Sequence, residues 1–256
     1  LASRRFWAEL GGLLSAPGAR LQILDEDFGV PWELAPVPDA AGKWVPIASL
    51  APVVRPRSIT TAAPAPARSF LLLADAAHPG ALDEVAALEE ALASLGAHTR
   101  IALALDDVED ALGAGVYDVV HYAGHQGPTE DATPSLSMAG GSLALARLLD
   151  GLHARPPALL FLHACSTLLP SRVVATDAAS HTRYGALEPL ERSNVPAVAG
   201  TLWDVSPPED RVFIDVFYDH LVRHGDASAA MFAARSAASR RTHWAAWWPA
   251  YVLMSA

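Results

Sequence analysis

Four apolar runs separated by amphipathic segments dominate the chain from residue 69 onward. The runs have the length and composition of buried strands, and they occupy residues 69–74, 117–122, 158–164 and 195–202. The segments between them repeat their apolar positions with helical period, most clearly at Val85, Leu88, Leu92 and Leu95. This alternation predicts an α/β fold with a mostly parallel sheet and helices on both faces.

The same pattern predicts the remaining elements. Further strands are predicted at residues 21–24, 47–54, 99–105 and 247–254. Helices are predicted at residues 1–16, 31–34, 82–95, 108–112, 143–152, 187–192, 210–223 and 227–240. Small residues at 135–142 indicate a hairpin, and the polar, aperiodic stretch at 170–183 indicates a mobile loop.

A change in composition predicts a boundary near residue 66. Residues 58–68 are rich in Thr, Ala and Pro, which favours an extended connection. We therefore divide the chain into an N-terminal subregion, 1–66, and a catalytic core, 67–256. The start at Leu1, with no methionine and no long apolar segment after it, suggests a piece of a longer protein or a processed chain.

Composition narrows the possible partners. The chain has 256 residues, 52% hydrophobic and 18% charged, which is enough for a sizeable core. Its formal net charge is −10 without a basic stripe, which argues against direct binding of nucleic acid. No run approaches the ~20 apolar residues that span a bilayer, so we expect no membrane segment. A single cysteine fits a reducing compartment and hence a cytoplasmic location.

Reactive side chains follow two of the predicted central strands. His125 comes after one strand and Cys165, the only cysteine, after the next. Parallel sheets place their chemistry at the carboxyl ends of the strands, so these residues are a candidate proton carrier and nucleophile. Gly124 and Gly127 beside His125 would let backbone N–H groups approach a substrate. The structural alternatives are a loop histidine between turn glycines and a buried, unreactive thiol.

A third strand is followed by Trp203 and Asp204. Together they have the stacking surface and the negative charge that bind a guanidinium or ammonium group. Asp204 also precedes Ser206-Pro207-Pro208-Glu209, a helix start, so a helix cap is the alternative.

Five motifs in order resemble the CHAT domain, a caspase-like peptidase domain of bacteria related to separase. They extend over about residues 20–256 and are Pro31-Trp32-Glu33, His121-Tyr122-Ala123-Gly124-His125, Ala164-Cys165-Ser166, Gly200-Thr201-Leu202-Trp203-Asp204-Val205 and Trp248-Pro249-Ala250-Tyr251-Val252-Leu253. The resemblance implies a caspase–hemoglobinase fold, a catalytic dyad of Cys165 and His125, and a structural role for His121.

The resemblance also implies a specificity and an oxyanion site. Separase carries a similar Leu-Trp-Asp-Val stretch and cleaves after arginine, which makes Trp203 and Asp204 expected determinants for a basic residue. Asp75, at the end of the predicted strand at 69–74, is a candidate second carboxylate by its position, without a motif to support it. The family usually has glycine directly after the catalytic histidine, whereas this chain has Gln126 and then Gly127. We expect the oxyanion donors to be the N–H groups of Gln126 or Gly127 and of Cys165. His163 stands where the family often has Asn or Ser, and we expect it to support the site by packing or hydrogen bonding.

These observations predict a cysteine endopeptidase that acts on protein substrates after Arg or Lys and requires no cofactor or metal. An upstream sensor domain or an activating partner in bacterial defence or signalling is expected. The alternatives are an inactive CHAT-like interaction module and a small-molecule thiol hydrolase. The hydrolase would need a carboxylate paired with the histidine, and the sequence offers no clear candidate for it. Arg172 and Arg183 offer self-cleavage sites in the predicted loop, unless that loop is merely flexible.

Overall fold

An eight-stranded mixed sheet forms the centre of the fold in the computed structural model of the chain. The structure describes residues 4–24, 32–56, 65–128, 133–164, 167–168, 172–177, 180–184, 187–203, 211–241 and 250–255. The helices are α1 (Arg4–Leu14), α2 (Pro79–Ser94), α3 (Leu105–Ala114), α4 (Leu145–His153), α5 (Leu187–Glu191), α6 (Arg211–His224) and α7 (Ala227–Arg241).

The strands are also numbered in chain order. They are β1 (Leu21–Gln22), β2 (Pro36–Pro38), β3 (Trp44–Pro46), β4 (Val53–Pro56), β5 (Ser69–Ala74), β6 (His98–Ala102), β7 (Val119–Ala123), β8 (Gln126–Pro128), β9 (Pro134–Met138), β10 (Gly141–Ala144), β11 (Leu159–His163), β12 (Arg172–Asp177), β13 (Ser180–Tyr184), β14 (Ala197–Thr201) and β15 (Tyr251–Ser255). Short 3₁₀ turns lie at Trp32–Leu34 and Ile47–Ser49.

The strand order of the large sheet is β1-β4-β15-β14-β11-β7-β5-β6. The five strands from β14 to β6 are parallel, whereas β15 is antiparallel to β14, and β4 and β1 follow the direction of β15. The first central strand, β5, has its successor β6 on one side and β7 on the other. The winding direction therefore reverses between β5 and β7, and such a switch point leaves a crevice at the carboxyl ends of the strands.

Alternating side chains of β5 divide the core into two layers. Phe70 and Leu72 pack on the side of α2, α6 and α7, and Leu71 and Leu73 pack on the side of α3, α4 and α5. Both layers are apolar because both faces of the sheet are covered by helices. The predicted fold class, a mostly parallel sheet with helices on both faces, is confirmed.

The segment before residue 66 is joined to the same sheet. Strands β1 and β4 extend it beyond β15, and the Arg55 guanidinium lies 2.6 Å from the Glu33 carboxylate. These side chains are 1% and 0% exposed, so the pair fixes the turn at Trp32–Leu34 to β4 from inside the core. Because a buried charge needs a partner, each of the two residues requires the other.

Several predicted elements differ from the structure. The predicted strand at 47–54 begins with a 3₁₀ turn, and pairing starts only at Val53. The predicted mobile loop at 170–183 contains β12 and β13, which form an antiparallel hairpin. Its β-branched residues, Val173, Val174 and Thr182, favour strands although the stretch has no clear period.

One further difference lies next to the large sheet. The predicted helix at 143–152 begins at Leu145, because the preceding residues form β10 in a small sheet with β9 and β8. No helix among the described residues is both long enough and apolar enough to cross a bilayer.

Candidate active site

Asp75 and His125 meet at the switch point between β5 and β7. Asp75 directly follows β5, and its backbone N–H donates to the carbonyl oxygen of Ala123 at 2.9 Å. The Asp75 Oδ2 atom lies 3.0 Å from His125 Nδ1. The Asp75 side chain is 5% exposed, whereas that of His125 is 59% exposed. Sequence reasoning predicted Asp75 as a substrate carboxylate and found no carboxylate for the histidine, but the structure pairs the two residues.

The turn between β5 and α2 holds Asp75 in this orientation. Its second carboxylate oxygen, Oδ1, accepts a hydrogen bond from the Ala77 N–H at 3.0 Å. His78 caps α2 by accepting from the Ala81 N–H at 3.1 Å, and its ring packs edge-on against His125 with centroids 4.6 Å apart. Asp75 and His78 thus fix one side of the His125 ring. Nε2 is the ring nitrogen that is not hydrogen-bonded to Asp75.

Gly124 allows this close approach. Its φ is +148°, and a Cβ atom there would lie 2.5 Å from the Asp75 Cβ atom and 2.7 Å from the Tyr122 hydroxyl. Any larger residue would therefore push Asp75 away from His125. The Gly124 N–H donates to the His163 carbonyl oxygen at 3.1 Å, so the turn is anchored to the end of β11.

Tyr122 and Ser137 hold the backbone of His125. The Tyr122 hydroxyl donates to the His125 carbonyl oxygen at 2.6 Å, and the Ser137 N–H donates to the same oxygen at 3.0 Å. Burial and the charge of Asp75 raise the pKa of Tyr122, so its hydroxyl keeps the proton that it donates.

The register of β8 and β9 distinguishes Gln126 from Gly127, the two oxyanion donors predicted next to His125. Gln126 lies opposite Leu136, and Gly127 lies opposite Ser135. In an antiparallel pair, residues alternate between hydrogen-bonded and non-hydrogen-bonded positions. Since the His125 carbonyl is bonded to Ser137, Gln126 falls in a non-hydrogen-bonded position and its N–H points away from β9. Its side-chain Oε1 is buried and has no hydrogen-bond partner among the described residues.

Thr201, at the end of β14, anchors both sides of the segment that carries the cysteine. Its hydroxyl donates to the Ala164 carbonyl oxygen at 2.6 Å, and its N–H donates to the Thr167 hydroxyl at 2.8 Å. Its carbonyl accepts from the Leu168 N–H at 2.8 Å. Cys165 itself lies outside the described residues.

The third strand end is described only up to Trp203. This side chain is half-buried and packs against the cluster on the α3 and α4 side of the sheet. Asp204, predicted to recognise a basic side chain, lies outside the described residues.

A second group of titratable residues lies below the switch point. His121 and His163 point from β7 and β11 toward α2, where the Glu84 carboxylate is 2.9 Å from His121 Nε2 and 2.7 Å from His163 Nδ1. The side chains of Glu84, His121 and His163 are 10%, 0% and 5% exposed. The remaining ring nitrogens lie 2.8 Å from the Tyr218 hydroxyl and 2.6 Å from the Tyr251 hydroxyl, respectively. These five residues form the buried histidine cluster.

The protonation states in the buried histidine cluster follow from its contacts. Burial raises the pKa of Glu84, but the charge of His163 and the hydrogen bonds from both histidines outweigh burial and lower it to about 2. Burial lowers the pKa of His121, which favours the neutral imidazole. Glu84 is therefore an ionised carboxylate in the core, stabilised by imidazole groups rather than by solvent.

Besides Tyr218, sequence reasoning missed one member of this cluster, Glu84. It precedes Val85 and shares the inward face of α2 with Ala81 and Leu88. A carboxylate on an apolar helix face needs a buried partner, and that was the available signal. The expected support role of His163 agrees with its two hydrogen bonds, to Glu84 and Tyr251.

Comparisons with known proteins were made for sequence and for fold. A family model of the CHAT domain matches residues 30–256. A separase–securin complex of Saccharomyces cerevisiae solved at 2.6 Å is similar in fold, with a TM-score of 0.52 and 12% identity over 82% of this chain and 14% of that chain. A 3.0 Å structure of the same complex gives a TM-score of 0.48 and 14% identity over the same shares. No curated protein matches the sequence.

Proposed function

Because the chain belongs to the CHAT domain family of caspase-like cysteine peptidases, we propose that it is a cysteine endopeptidase with Cys165 as the nucleophile and His125 as the general base. The observation that carries this proposal is the Asp75–His125 pair at the switch point, 3.0 Å apart. A half-exposed imidazole whose Nδ1 is held by a buried carboxylate has the tautomer and the orientation that a general base needs.

The proposed reaction follows the acyl-enzyme route. His125 Nε2 takes the Cys165 thiol proton, the sulfur forms a bond to the substrate carbonyl carbon, and the carbonyl electron pair moves onto oxygen. Collapse of this oxyanion breaks the C–N bond, and Nε2 returns the proton to the leaving amine. Water then loses a proton to Nε2, attacks the thioester and releases the acid, and the thiolate is reprotonated.

We assign the oxyanion donors to the N–H groups of Gln126 and Cys165. The register of β8 and β9 favours Gln126 over Gly127, because only the Gln126 N–H is turned away from β9. Each such donor contributes ~3–4 kcal/mol to transition-state stabilisation. Ala164 and Thr167, on either side of the segment that carries the cysteine, are both hydrogen-bonded to Thr201, which supports this assignment.

The proposed preference is for Arg or Lys before the scissile bond, with Trp203 as a stacking wall and Asp204 as the charge partner. Its support is the Leu202-Trp203-Asp204-Val205 motif, which follows strand β14 next to β11 in the sheet. Replacement of Asp204 by Asn keeps the size and removes the charge. It should lower kcat/KM for an arginine peptide while leaving a matched leucine peptide unaffected, and an unchanged preference would remove Asp204 from this role.

We further propose that a sensor domain or a partner protein controls the peptidase in a bacterial defence or signalling pathway. The separase structures contain securin, a protein partner, which supports control by protein binding in a related fold. A thiol-directed activity probe separates this proposal from the inactive-module alternative. Labelling of Cys165 only when a partner is added supports control, and no labelling under any condition supports the inactive module.

The decisive experiment is peptide cleavage by the Cys165→Ala variant. We expect wild-type protein to cleave an arginine-containing peptide and the variant to lose cleavage while retaining the wild-type melting temperature. Persistent cleavage by the folded variant would overturn the assignment. Since Asp75 supplies the carboxylate that a small-molecule thiol hydrolase also needs, glutamine and other small amides are tested in parallel. Turnover of those amides without peptide cleavage would favour that second function.

A further inference from the structure

Two imidazoles and one carboxylate converge in the buried histidine cluster from three separate elements. Glu84 belongs to α2, His121 to β7 and His163 to β11. One potential ligand atom from each of the three lies within 4.8 Å of both others. The sequence led us to expect no metal, and nothing in the proposed peptidase reaction uses these three groups.

We propose that Glu84, His121 and His163 form a buried zinc site beneath the catalytic dyad. Two imidazole nitrogens and a carboxylate oxygen are a common set of protein ligands for Zn²⁺, and they leave a fourth position for water. Calcium and magnesium prefer six or more oxygen ligands, which this cluster does not offer. The proposed ion would join α2 to the two strands that carry His125 and Cys165 at their ends.

The second nitrogen of each imidazole supports this assignment. His121 Nδ1 contacts the Tyr218 hydroxyl at 2.8 Å, and His163 Nε2 contacts the Tyr251 hydroxyl at 2.6 Å. Histidines that bind metals are usually oriented in this way, by a hydrogen bond from the nitrogen that does not face the ion. The two tyrosines come from α6 and β15, so each ring is fixed by a separate element.

The charge of the cluster fits a cation. Zinc binds carboxylates and imidazoles, and the cluster offers one carboxylate and two imidazole groups. Without an ion, the histidines donate to Glu84 and the tyrosines donate to the histidines. With an ion, each imidazole carries its proton on the tyrosine-facing nitrogen. That N–H donates a hydrogen bond to the tyrosine oxygen.

The ligand atoms must move apart only slightly to hold the ion. The nitrogen–oxygen distances in the cluster are 2.7 and 2.9 Å, whereas tetrahedral zinc ligands are about 3.4 Å apart. The ligand atoms must therefore separate by roughly half an ångström. Glu84 can supply this movement, because its long side chain reaches from a helix and is 10% exposed, whereas both histidines are fixed in strands.

The low exposure of the cluster defines the expected role. His121 and His163 are 0% and 5% exposed, so a bound ion has no contact with a protein substrate. The ion would stabilise the fold below the dyad and take no part in bond cleavage. This role is independent of the proposed peptidase activity, and the test below needs no substrate.

The test measures zinc content and thermal stability of the full chain. After incubation with excess Zn²⁺ and extensive dialysis, we expect about one zinc per wild-type chain by elemental analysis. Thermal melts should show a melting temperature ~5–10 °C higher than that of protein treated with a chelator. Substitution by Co²⁺ should give the intense visible absorption of a four-coordinate site.

Two sets of variants locate the ion. Glu84→Gln and His163→Asn should each lower zinc content at least tenfold. If Cys165→Ala still binds zinc, the single cysteine is excluded as a ligand. The surface pair His220 and His224, with ring centroids 4.4 Å apart on α6, is the other plausible binding place. The double variant His220→Ala/His224→Ala should therefore retain one zinc per chain.

Three results would overturn the proposal. Wild-type protein with less than a tenth of a zinc per chain and an unchanged melting temperature would show a purely hydrogen-bonded cluster. Zinc that remains in Glu84→Gln and His163→Asn but disappears in His220→Ala/His224→Ala would assign the ion to the surface. An absorption spectrum typical of six-coordinate Co²⁺ would exclude the proposed geometry. The wild-type measurements decide the question even if a ligand variant fails to fold.

Discussion

His125 and His121 lie four positions apart in the chain, and each has a carboxylate partner from the segment that includes α2 and the turn before it. The His125 side chain is 59% exposed and has one ring nitrogen bonded to Asp75. The His121 side chain is 0% exposed and has both ring nitrogens occupied, by Glu84 and Tyr218. The same kind of pair, an imidazole with a carboxylate, thus occurs twice, and the two pairs differ in solvent access.

The difference follows from the positions of the two residues in β7. His121 lies within the strand, on the side covered by α2 and α6, so its ring is enclosed by helices. His125 comes after the strand has ended and after Gly124 has turned the chain. An imidazole that exchanges protons with a substrate needs an accessible nitrogen, whereas one that stabilises a buried carboxylate needs none.

The largest effect is expected for His125→Ala. Loss of the proposed general base should lower kcat/KM for an arginine peptide by ~10²–10⁴-fold. The melting temperature should change little, because the ring is largely exposed. Steady-state kinetics and thermal melts measure the two quantities. His153→Ala, an exposed histidine at the end of α4, is the control and should keep wild-type activity. An equal loss in the control would count against a specific role for His125.

Glu84→Ala should produce the opposite pattern. It leaves the buried N–H groups of His121 and His163 without their acceptor, at a cost of about 1–3 kcal/mol for each group. Chemical denaturation should show this loss of unfolding free energy, and activity should fall only as the folded fraction falls. Glu90→Ala, an exposed position on the same helix, is the matched control. A stable Glu84→Ala protein with greatly reduced kcat would show that the buried cluster acts in catalysis.

Sequence reasoning predicted the strand ends but could not predict which of them meet. The apolar runs at 69–74, 117–122 and 158–164 correspond to β5, β7 and β11, and their ends carry the candidate residues. Asp75 and His125 are 50 positions apart in the chain, and only the order β11-β7-β5 makes their strands neighbours. Strand order depends on how helices pack on the sheet, which a single strand's pattern does not contain.

The buried cluster was beyond prediction for a similar reason. Period-two alternation puts His121 and His163 on the same face as Phe161, but the spacing gives no indication that Glu84 of α2 would lie above them. The hairpin β12–β13 was predicted as a loop because short β-branched stretches become strands only when a partner strand is available. Long-range contacts decided the first feature, and pairing between adjacent segments of the chain decided the second.

Asp75→Asn tests how strongly the exposed His125 depends on its buried partner, the Asp75 carboxylate. Asparagine keeps an acceptor for the Ala77 N–H but no longer favours the proton on His125 Nδ1. We expect kcat/KM to fall by about tenfold to a hundredfold. This is less than the ~10⁴-fold loss known for the buried aspartate of a serine protease triad, because water can reach the half-exposed His125. Kinetics of the folded variant measure the effect, and unchanged kcat/KM would reduce Asp75 to a structural role.

The smallest effect is expected for His78, whose ring packs edge-on against His125. His78→Ala removes the cap of α2 and the ring contact with His125, so it should cost about 0.5–1 kcal/mol of stability and lower kcat/KM less than threefold. His78→Asn separates the two contributions, because asparagine can cap the helix but offers no ring. It should restore stability by chemical denaturation and keep the small kinetic loss. A tenfold loss of kcat/KM in this stable variant would contradict the ranking, since His78 would then position His125 as strongly as Asp75 does.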